Sequence, residues 1–205
     1  VAQLIAAVAL TLAVTPTLAY VGRDVAGRLR TRATLKMQTE MVPVGGTRPV
    51  IIVGMGDVGR TIADALAEFH IGYDAVERDG ARLRDAVADG YHASFGDASD
   101  ARLWRALDLG GRKFSVMTAS SIVAARDWMS SSLALYPDLH RLWVAQTDDE
   151  AEQLNEVGIE AVVSPDESRG IEAAQALLSA MGVEADAIEA WAARQRARIA
   201  SPLAA

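Results

Sequence analysis

A glycine-rich segment between an apolar run and an amphipathic segment constrains this chain more than any other feature. It fits the spacing G-x-G-x-x-G and reads Gly54-Met55-Gly56-Asp57-Val58-Gly59. The β-branched run at 50–54 predicts a buried parallel strand, and the apolar spacing over 57–70 predicts a helix with one buried face. A glycine turn that leads from such a strand into such a helix is typical of a βαβ unit.

Each glycine of this loop has a separate role in that interpretation. Gly54 permits the tight turn out of the strand, Gly56 lets an anion approach the backbone, and Gly59 lets the helix pack close to the sheet. Free N–H groups and the positive end of the helix dipole then face a phosphate group. The alternative is that the glycines only form a tight turn between strand and helix.

A carboxylate follows the loop at the distance that a nucleotide site requires. Glu77 ends the second predicted strand, about 20 residues beyond the loop, where an acid bonds ribose hydroxyls and repels a 2′-phosphate. Arg78 beside it either accepts a 2′-phosphate or lies against adenine. We favour NAD or an adenine nucleotide over NADP. Asp97, after the third predicted strand, either bonds the adenosine part of the ligand or caps the next helix.

Residues 49–182 alternate predicted strands and helices. Beyond the first pair, strands are predicted at 73–77, 91–95, 114–118, 141–145 and 161–163, and helices at 81–89, 100–109, 122–135, 148–157 and 167–181. The alternation predicts an α/β fold, a Rossmann-like doubly wound parallel six-stranded sheet of order 3-2-1-4-5-6. Trp104, Trp128 and Trp143 fit core or interface packing. Residues 183–205 predict a helical tail that packs on the domain or on a partner.

The first 22 residues contain no charged side chain. Roughly 20 helical residues cross a hydrocarbon core of about 30 Å, so residues 1–22 predict a transmembrane helix. Residues 23–48 form a basic linker, and the accumulation of arginine and lysine there places this end of the helix in the cytoplasm. A buried core helix and a targeting segment are the alternatives for the apolar run.

Charge and residue types exclude several classes of function. Residues 1–48 carry a net charge of +4 and the remainder −11, and an acidic main domain argues against a nucleic-acid partner. The chain has no cysteine, which excludes disulfides, thiolate metal sites and cysteine nucleophiles. His70, His92 and His140 have no second ligand at metal spacing. With no catalytic dyad visible, we predict neither a metal site nor an enzyme.

The segments VIIVGMGDVG, YDAVERD and FGDAS, in this order, resemble the regulator-of-potassium-conductance (RCK) domain, also called TrkA-N. With Thr15-Pro16 and the basic linker before them, they are similar to the C-terminal part of Kef-type glutathione-regulated potassium/proton antiporters, of the monovalent cation:proton antiporter-2 family. The family often has an acidic or amide-rich stretch after the fourth strand. This chain has Thr118-Ala119-Ser120-Ser121 there.

The resemblance implies a regulatory domain in the cytoplasm, attached to a transporter of the inner (plasma) membrane. Its implied ligand is NAD(H), AMP or a related adenine nucleotide, and its implied partners are the membrane domain of the same transporter and a second copy of the domain. Ligand binding then gates potassium/proton exchange through a rearrangement of the dimer. The implied nucleotide contacts are Gly54, Met55, Gly56, Asp57, Val58, Gly59, Glu77, Arg78, Asp97 and Ala98, with Arg78 near the adenine. Alternatives are a small NAD-dependent oxidoreductase and an RCK-type subunit of a potassium channel or uptake system.

Overall fold

The computed structural model describes residues 48–118, 132–164 and 168–200. The strands in this part are β1 (Val50–Val53), β2 (Tyr73–Glu77), β3 (Ala93–Phe95), β4 (Phe114–Met117), β5 (His140–Val144) and β6 (Glu160–Val162). They form one sheet in the order β3-β2-β1-β4-β5-β6, and every neighbouring pair is parallel. The predicted Rossmann-like sheet and its strand order are confirmed.

Helices alternate with these strands along the chain. They are α1 (Asp57–Glu68), α2 (Gly80–Ala88), α3 (Ala101–Ala106), α4 (Asp148–Glu156), α5 (Arg169–Ala180) and α6 (Ala185–Ala200). Residues 132–135 are also helical. The remainder of the helix predicted at 122–135, including Trp128, lies outside the described residues.

Alternate residues of β1 supply two hydrophobic cores, one on each face of the sheet. Val50 and Ile52 pack in a cluster with residues of α1, α2, α5 and α6. Ile51 and Val53 pack in a second cluster with residues of α3 and α4. Successive side chains of a strand point to opposite faces, so a central strand covered on both faces needs a continuous apolar run. This requirement explains the composition of the segment before the glycine loop.

Several element boundaries differ by one or two residues from the sequence-based expectation. The third strand begins at Ala93, two residues later than predicted, and the Ala93 N–H donates to Tyr91 O (3.0 Å) in a local turn. The helix predicted at 100–109 is interrupted, and Leu109–Gly111 forms a separate 3-10 turn. Asp108 adopts a left-handed conformation with φ of +46°, which an α-helix cannot continue through.

The C-terminal helix α6 packs on the domain. Trp191 is fully buried and Ile188 is 6% exposed, and both belong to the core cluster beneath α1 and α5. Arg194 pairs with Glu68 at the end of α1, with 2.6 Å between Nη2 and Oε1. Trp104 and Trp143 are buried in the second cluster, as predicted, whereas the burial of Trp191 was not anticipated from the sequence.

No helix within the described ranges has the length and apolarity needed to span a membrane. The transmembrane helix predicted at 1–22 lies outside those ranges, and so does the basic linker up to its last residue. That residue, Arg48, donates to Asp74 Oδ1 (3.0 Å) and to Tyr73 O (3.0 Å), and thereby fixes the start of the sheet.

Candidate functional site

The glycine loop joins β1 to α1 through a turn that only small residues permit. Gly54 has φ of +105°, and its N–H donates to Val76 O (2.8 Å) on the neighbouring strand. A Cβ atom on Gly59 would lie 2.0 Å from Gly54 O, so any larger residue would push α1 away from the loop. The roles predicted for Gly54 and Gly59, a tight turn and a close helix approach, are therefore both present in the structure.

The amino end of α1 is open on the side of the loop. A Cβ atom on Gly56 would meet no heavy atom within 4 Å, and no side chain caps the helix. The side chains of Asp79, Asp100 and Thr147 cap α2, α3 and α4, whereas α5, like α1, has no side-chain cap. The first N–H groups of a helix have no partner within the helix and carry the positive end of its dipole. Because no side chain caps α1, its amino end is suited to an anion.

Glu77 lies beside this loop and bonds it directly. The side chain is 6% exposed, although carboxylates are seldom buried without partners. Its Oε2 accepts the Met55 N–H (2.8 Å) and its Oε1 accepts the Asp79 N–H (2.8 Å). Each oxygen keeps a second lone pair for a further donor such as a ribose hydroxyl. The carboxylate thus orients the loop backbone, a role that the sequence pattern did not predict, and remains able to accept the predicted ribose bonds.

The structure places Asp97 at the same edge of the sheet and corrects one of its two predicted roles. Its Oδ1 accepts the N–H (2.9 Å) and the hydroxyl (2.7 Å) of Ser99. The cap of α3 is instead Asp100, whose side chain accepts the Arg102 N–H, so the alternative of Asp97 as the helix cap is wrong. The hydrogen bond from the Arg102 side chain lowers the pKa of Asp100 to about 2. The contact of Asp97 with adenosine stays a prediction.

The remaining predicted contact residues lie around these groups. Met55 is fully buried in the core, so it contributes only its backbone to the site. Asp57 begins α1 with an exposed side chain, and Val58 is partly buried. Arg78 follows Glu77 directly and is exposed. The Ala98 carbonyl is occupied by the Trp104 indole N–H, at 2.8 Å. Their contacts with a nucleotide are likewise untested expectations.

Thr118 is the main residue of this site that sequence reasoning missed. It directly follows β4, and its hydroxyl lies 3.0 Å from Gly54 O and 3.1 Å from Val53 O. Its N–H also donates to Val53 O (3.0 Å). Residues 119–131, which include the rest of the segment where this chain departs from the RCK pattern, lie outside the described ranges.

The carboxyl ends of β5 and β6 form a second polar group. Arg169 donates to Gln146 Oε1 (3.3 Å) and to Ser164 O (3.2 Å), which ties the first turn of α5 to both strand ends. No sequence motif indicated this cluster. Among the described residues, no group of three His, Asp or Glu side chains is arranged to hold a metal ion. His140 pairs with Glu160, with 2.6 Å between Nε2 and Oε2.

Solved structures share this fold at low sequence identity. The TrkA-N domain of the inner membrane protein ybaL from Escherichia coli aligns over 65% of this chain and 96% of its own, with 24% identity and a TM-score of 0.51. The Kef C-terminal domain from Shewanella denitrificans, in an AMP-bound form, aligns over 74% of this chain and 93% of its own (18% identity, TM-score 0.50).

A third structure with the same fold is the NAD(P)-binding domain of an exopolyphosphatase-related protein from Archaeoglobus fulgidus. It covers 66% of this chain and 98% of its own, with 19% identity and a TM-score of 0.51. No curated protein matches the chain in sequence. The sequence of residues 50–165, more than half of the chain, matches the TrkA-N domain. The chain therefore belongs to the TrkA-N domain family.

Proposed function

We propose that this chain is the nucleotide-binding regulatory part of a potassium/proton antiporter. The observation that carries the proposal is the amino end of α1, where open space at Gly56 adjoins an uncapped helix and the buried carboxylate of Glu77. A phosphate group at this end accepts backbone N–H bonds and is stabilised by the helix dipole. Glu77 then accepts the ribose hydroxyls from the neighbouring strand.

The proposed ligand is NAD(H), AMP or a related adenine nucleotide. Glu77 supports an unmodified ribose, because a 2′-phosphate there would bring a second negative charge against a buried carboxylate. The structures of similar fold include a Kef C-terminal domain in an AMP-bound form and an NAD(P)-binding domain, which supports a nucleotide as the ligand of this chain.

The link to ion transport rests on residues 1–48 and on the resemblance to Kef-type antiporters. In the proposed arrangement, residues 1–22 are the last transmembrane helix, residues 23–48 are the cytoplasmic linker, and a second copy of the domain completes a homodimer. Nucleotide binding shifts the geometry of the dimer, and the linker passes that shift to the membrane domain. A ligand acts in this way only if it binds one conformation more tightly than the other.

The proposal is tested by thermal and urea unfolding of the full 205-residue chain with AMP, ATP, NAD, NADH and NADPH. A ligand at 100 times its dissociation constant adds about 2.7 kcal/mol to the free energy of unfolding. With all ligands compared at one common concentration, we expect such a gain with NAD, NADH or AMP, a smaller one with NADPH, and none in the variant Gly56→Asp, which fills the open space with a carboxylate.

Two results would oppose the proposal. Stabilisation that survives unchanged in Gly56→Asp would place the ligand elsewhere on the chain. Steady oxidation of NADH with a small carbonyl substrate would instead favour the oxidoreductase. Sedimentation of the full chain with and without NAD tests the homodimer, since the proposed gating requires a dimer whose shape or stability responds to the ligand.

A further inference from the structure

One peptide group of the glycine loop is bonded at both of its ends by side chains from neighbouring strands. The carbonyl of the peptide between Gly54 and Met55 accepts the hydroxyl of Thr118, at 3.0 Å. The N–H of the same peptide donates to Glu77 Oε2, at 2.8 Å. Thr118 follows β4 and Glu77 ends β2, so the two residues reach this peptide from opposite sides of β1.

The orientation of this peptide decides where the phosphate-binding amides point. Gly54 has φ of +105° and no side chain, so its own stereochemistry restrains the peptide weakly. Its carbonyl oxygen also lies at the closest approach to α1, because a Cβ atom on Gly59 would be only 2.0 Å away. Rotation of the peptide would therefore change both the position of α1 against the loop and the direction of the Gly56 amide that follows.

Thr118 has two hydrogen-bond donors, its backbone N–H and its hydroxyl, and of these the hydroxyl reaches Gly54. Val53 O already accepts the Thr118 backbone N–H (3.0 Å), so the hydroxyl contact with Val53 O (3.1 Å) duplicates an existing bond. The contact with Gly54 O is the one that a residue without a hydroxyl would lose.

We propose that Thr118 is a positioning residue for the phosphate of the bound nucleotide. It does not touch the ligand: together with Glu77 it holds the Gly54–Met55 peptide so that the amide of Gly56 and those that begin α1 face the anion before the ligand arrives. Preorganised donors bind an anion more tightly because no ordering cost arises on binding. This inference rests on the nucleotide site of the proposed function and assigns it a residue from the fourth strand.

Isothermal titration calorimetry of the full chain with NAD and with AMP tests the assignment. Thr118→Val keeps the shape of the side chain and removes the hydroxyl, and Thr118→Ala is a second hydroxyl-free variant. We expect both to bind each nucleotide about ten-fold more weakly, which corresponds to the loss of one hydrogen bond. Thr118→Ser retains the hydroxyl and should restore affinity to within about two-fold of the original chain.

Ser115→Ala provides a matched control. Ser115 is buried in β4, the strand that Thr118 follows, and pairs in register with Ile51, about 10 Å before the loop at the usual rise of a strand. Its replacement removes a buried hydroxyl from the same strand and should leave nucleotide affinity unchanged. Urea unfolding of every variant separates a loss of affinity from a loss of stability.

The outcomes distinguish this inference from the function on which it rests. Wild-type affinity in Thr118→Val overturns the inference alone and leaves the nucleotide site standing. A loss in Thr118→Ser as large as in Thr118→Val, or an equal loss in Ser115→Ala, also overturns it, because the effect would then come from packing. If the unmodified chain binds neither NAD nor AMP, the proposed function fails, and the inference fails with it.

Discussion

Replacement of Gly56 by alanine should weaken nucleotide binding and change the stability of the unliganded protein only slightly. The backbone at Gly56 has φ of −72° and ψ of −169°, a conformation open to any residue, and a Cβ atom there meets no heavy atom within 4 Å. Alanine fits without strain and reduces the freedom of the unfolded chain. Gly56 is also the N-cap of α1, where alanine is less favourable than glycine by a similar amount, so we expect the free energy of unfolding without ligand to change by less than about 1 kcal/mol.

The same methyl group occupies the space through which a phosphate reaches the amides of α1. Hydrogen bonds to a charged group contribute about 1.5–3 kcal/mol each, so displacement of the phosphate from one or two amides weakens binding about a hundred-fold. At a concentration of 100 dissociation constants, NAD adds about 2.7 kcal/mol to the original chain. It should add only about 0.4 kcal/mol to Gly56→Ala at the same concentration.

Urea unfolding with and without NAD measures both effects in one series. Gly59→Ala is the matched control, since its Cβ atom would lie 2.0 Å from Gly54 O. That overlap should lower the free energy of unfolding by about 1–3 kcal/mol even without ligand. NAD binding by Gly56→Ala at the original affinity would refute the reasoning, because the open space would then not be the path of the phosphate.

Three further predictions concern stability and are read from urea unfolding of the full chain. Gly170→Ala should lower the free energy of unfolding by about 1–3 kcal/mol, because the new Cβ would lie 2.8 Å from Thr61 Cβ where α5 crosses α1. An unchanged urea midpoint would mean that these helices separate easily. Trp191→Ala should cost about 3–5 kcal/mol by emptying a fully buried position, and a cost near zero would show that α6 is loosely held. Burial, followed by the hydrogen bond to Asp64, raises the pKa of Tyr91 from 10.0 to about 12. Because the folded state keeps this proton longer, the free energy of unfolding falls as pH rises from about 10 to 12, and Tyr91→Phe should reduce that fall.

The sequence predicts the sheet well because the relevant signals are local. A strand buried on both faces requires an apolar run, and a tight strand–helix turn requires small residues. Both signals lie in one short segment, so β1, the loop and α1 can be recognised from the sequence. Boundaries shifted where one residue left the regular backbone, as Asp108 does with φ of +46°. The alternation of strands and helices then leaves few possible topologies, and the strand order followed from it.

The contacts that organise the site are harder to predict from the sequence because they join distant parts of the chain. Thr118 and Gly54 are 64 residues apart, and no spacing rule indicates that a hydroxyl after β4 meets a carbonyl after β1. The sequence predicts that Glu77 bonds the hydroxyls of a ribose. In the structure its oxygens already accept two backbone N–H groups. The sequence suggested Asp97 as a possible cap of the next helix, whereas the structure uses Asp100, three residues further along the chain.

The contact between Gly170 and Thr61 has a consequence for how the molecule opens. A Cβ atom at Gly170 would be 2.8 Å from Thr61 Cβ, so α1 and α5 meet with no spare room, and α6 shares their core through Trp191. Helices joined in this way exchange their amide protons with solvent by a common opening rather than one at a time. Deuterium uptake along α1, α5 and α6, corrected for the intrinsic exchange rate of each amide, should therefore give one common free energy of opening, and the exposed turns elsewhere should exchange sooner.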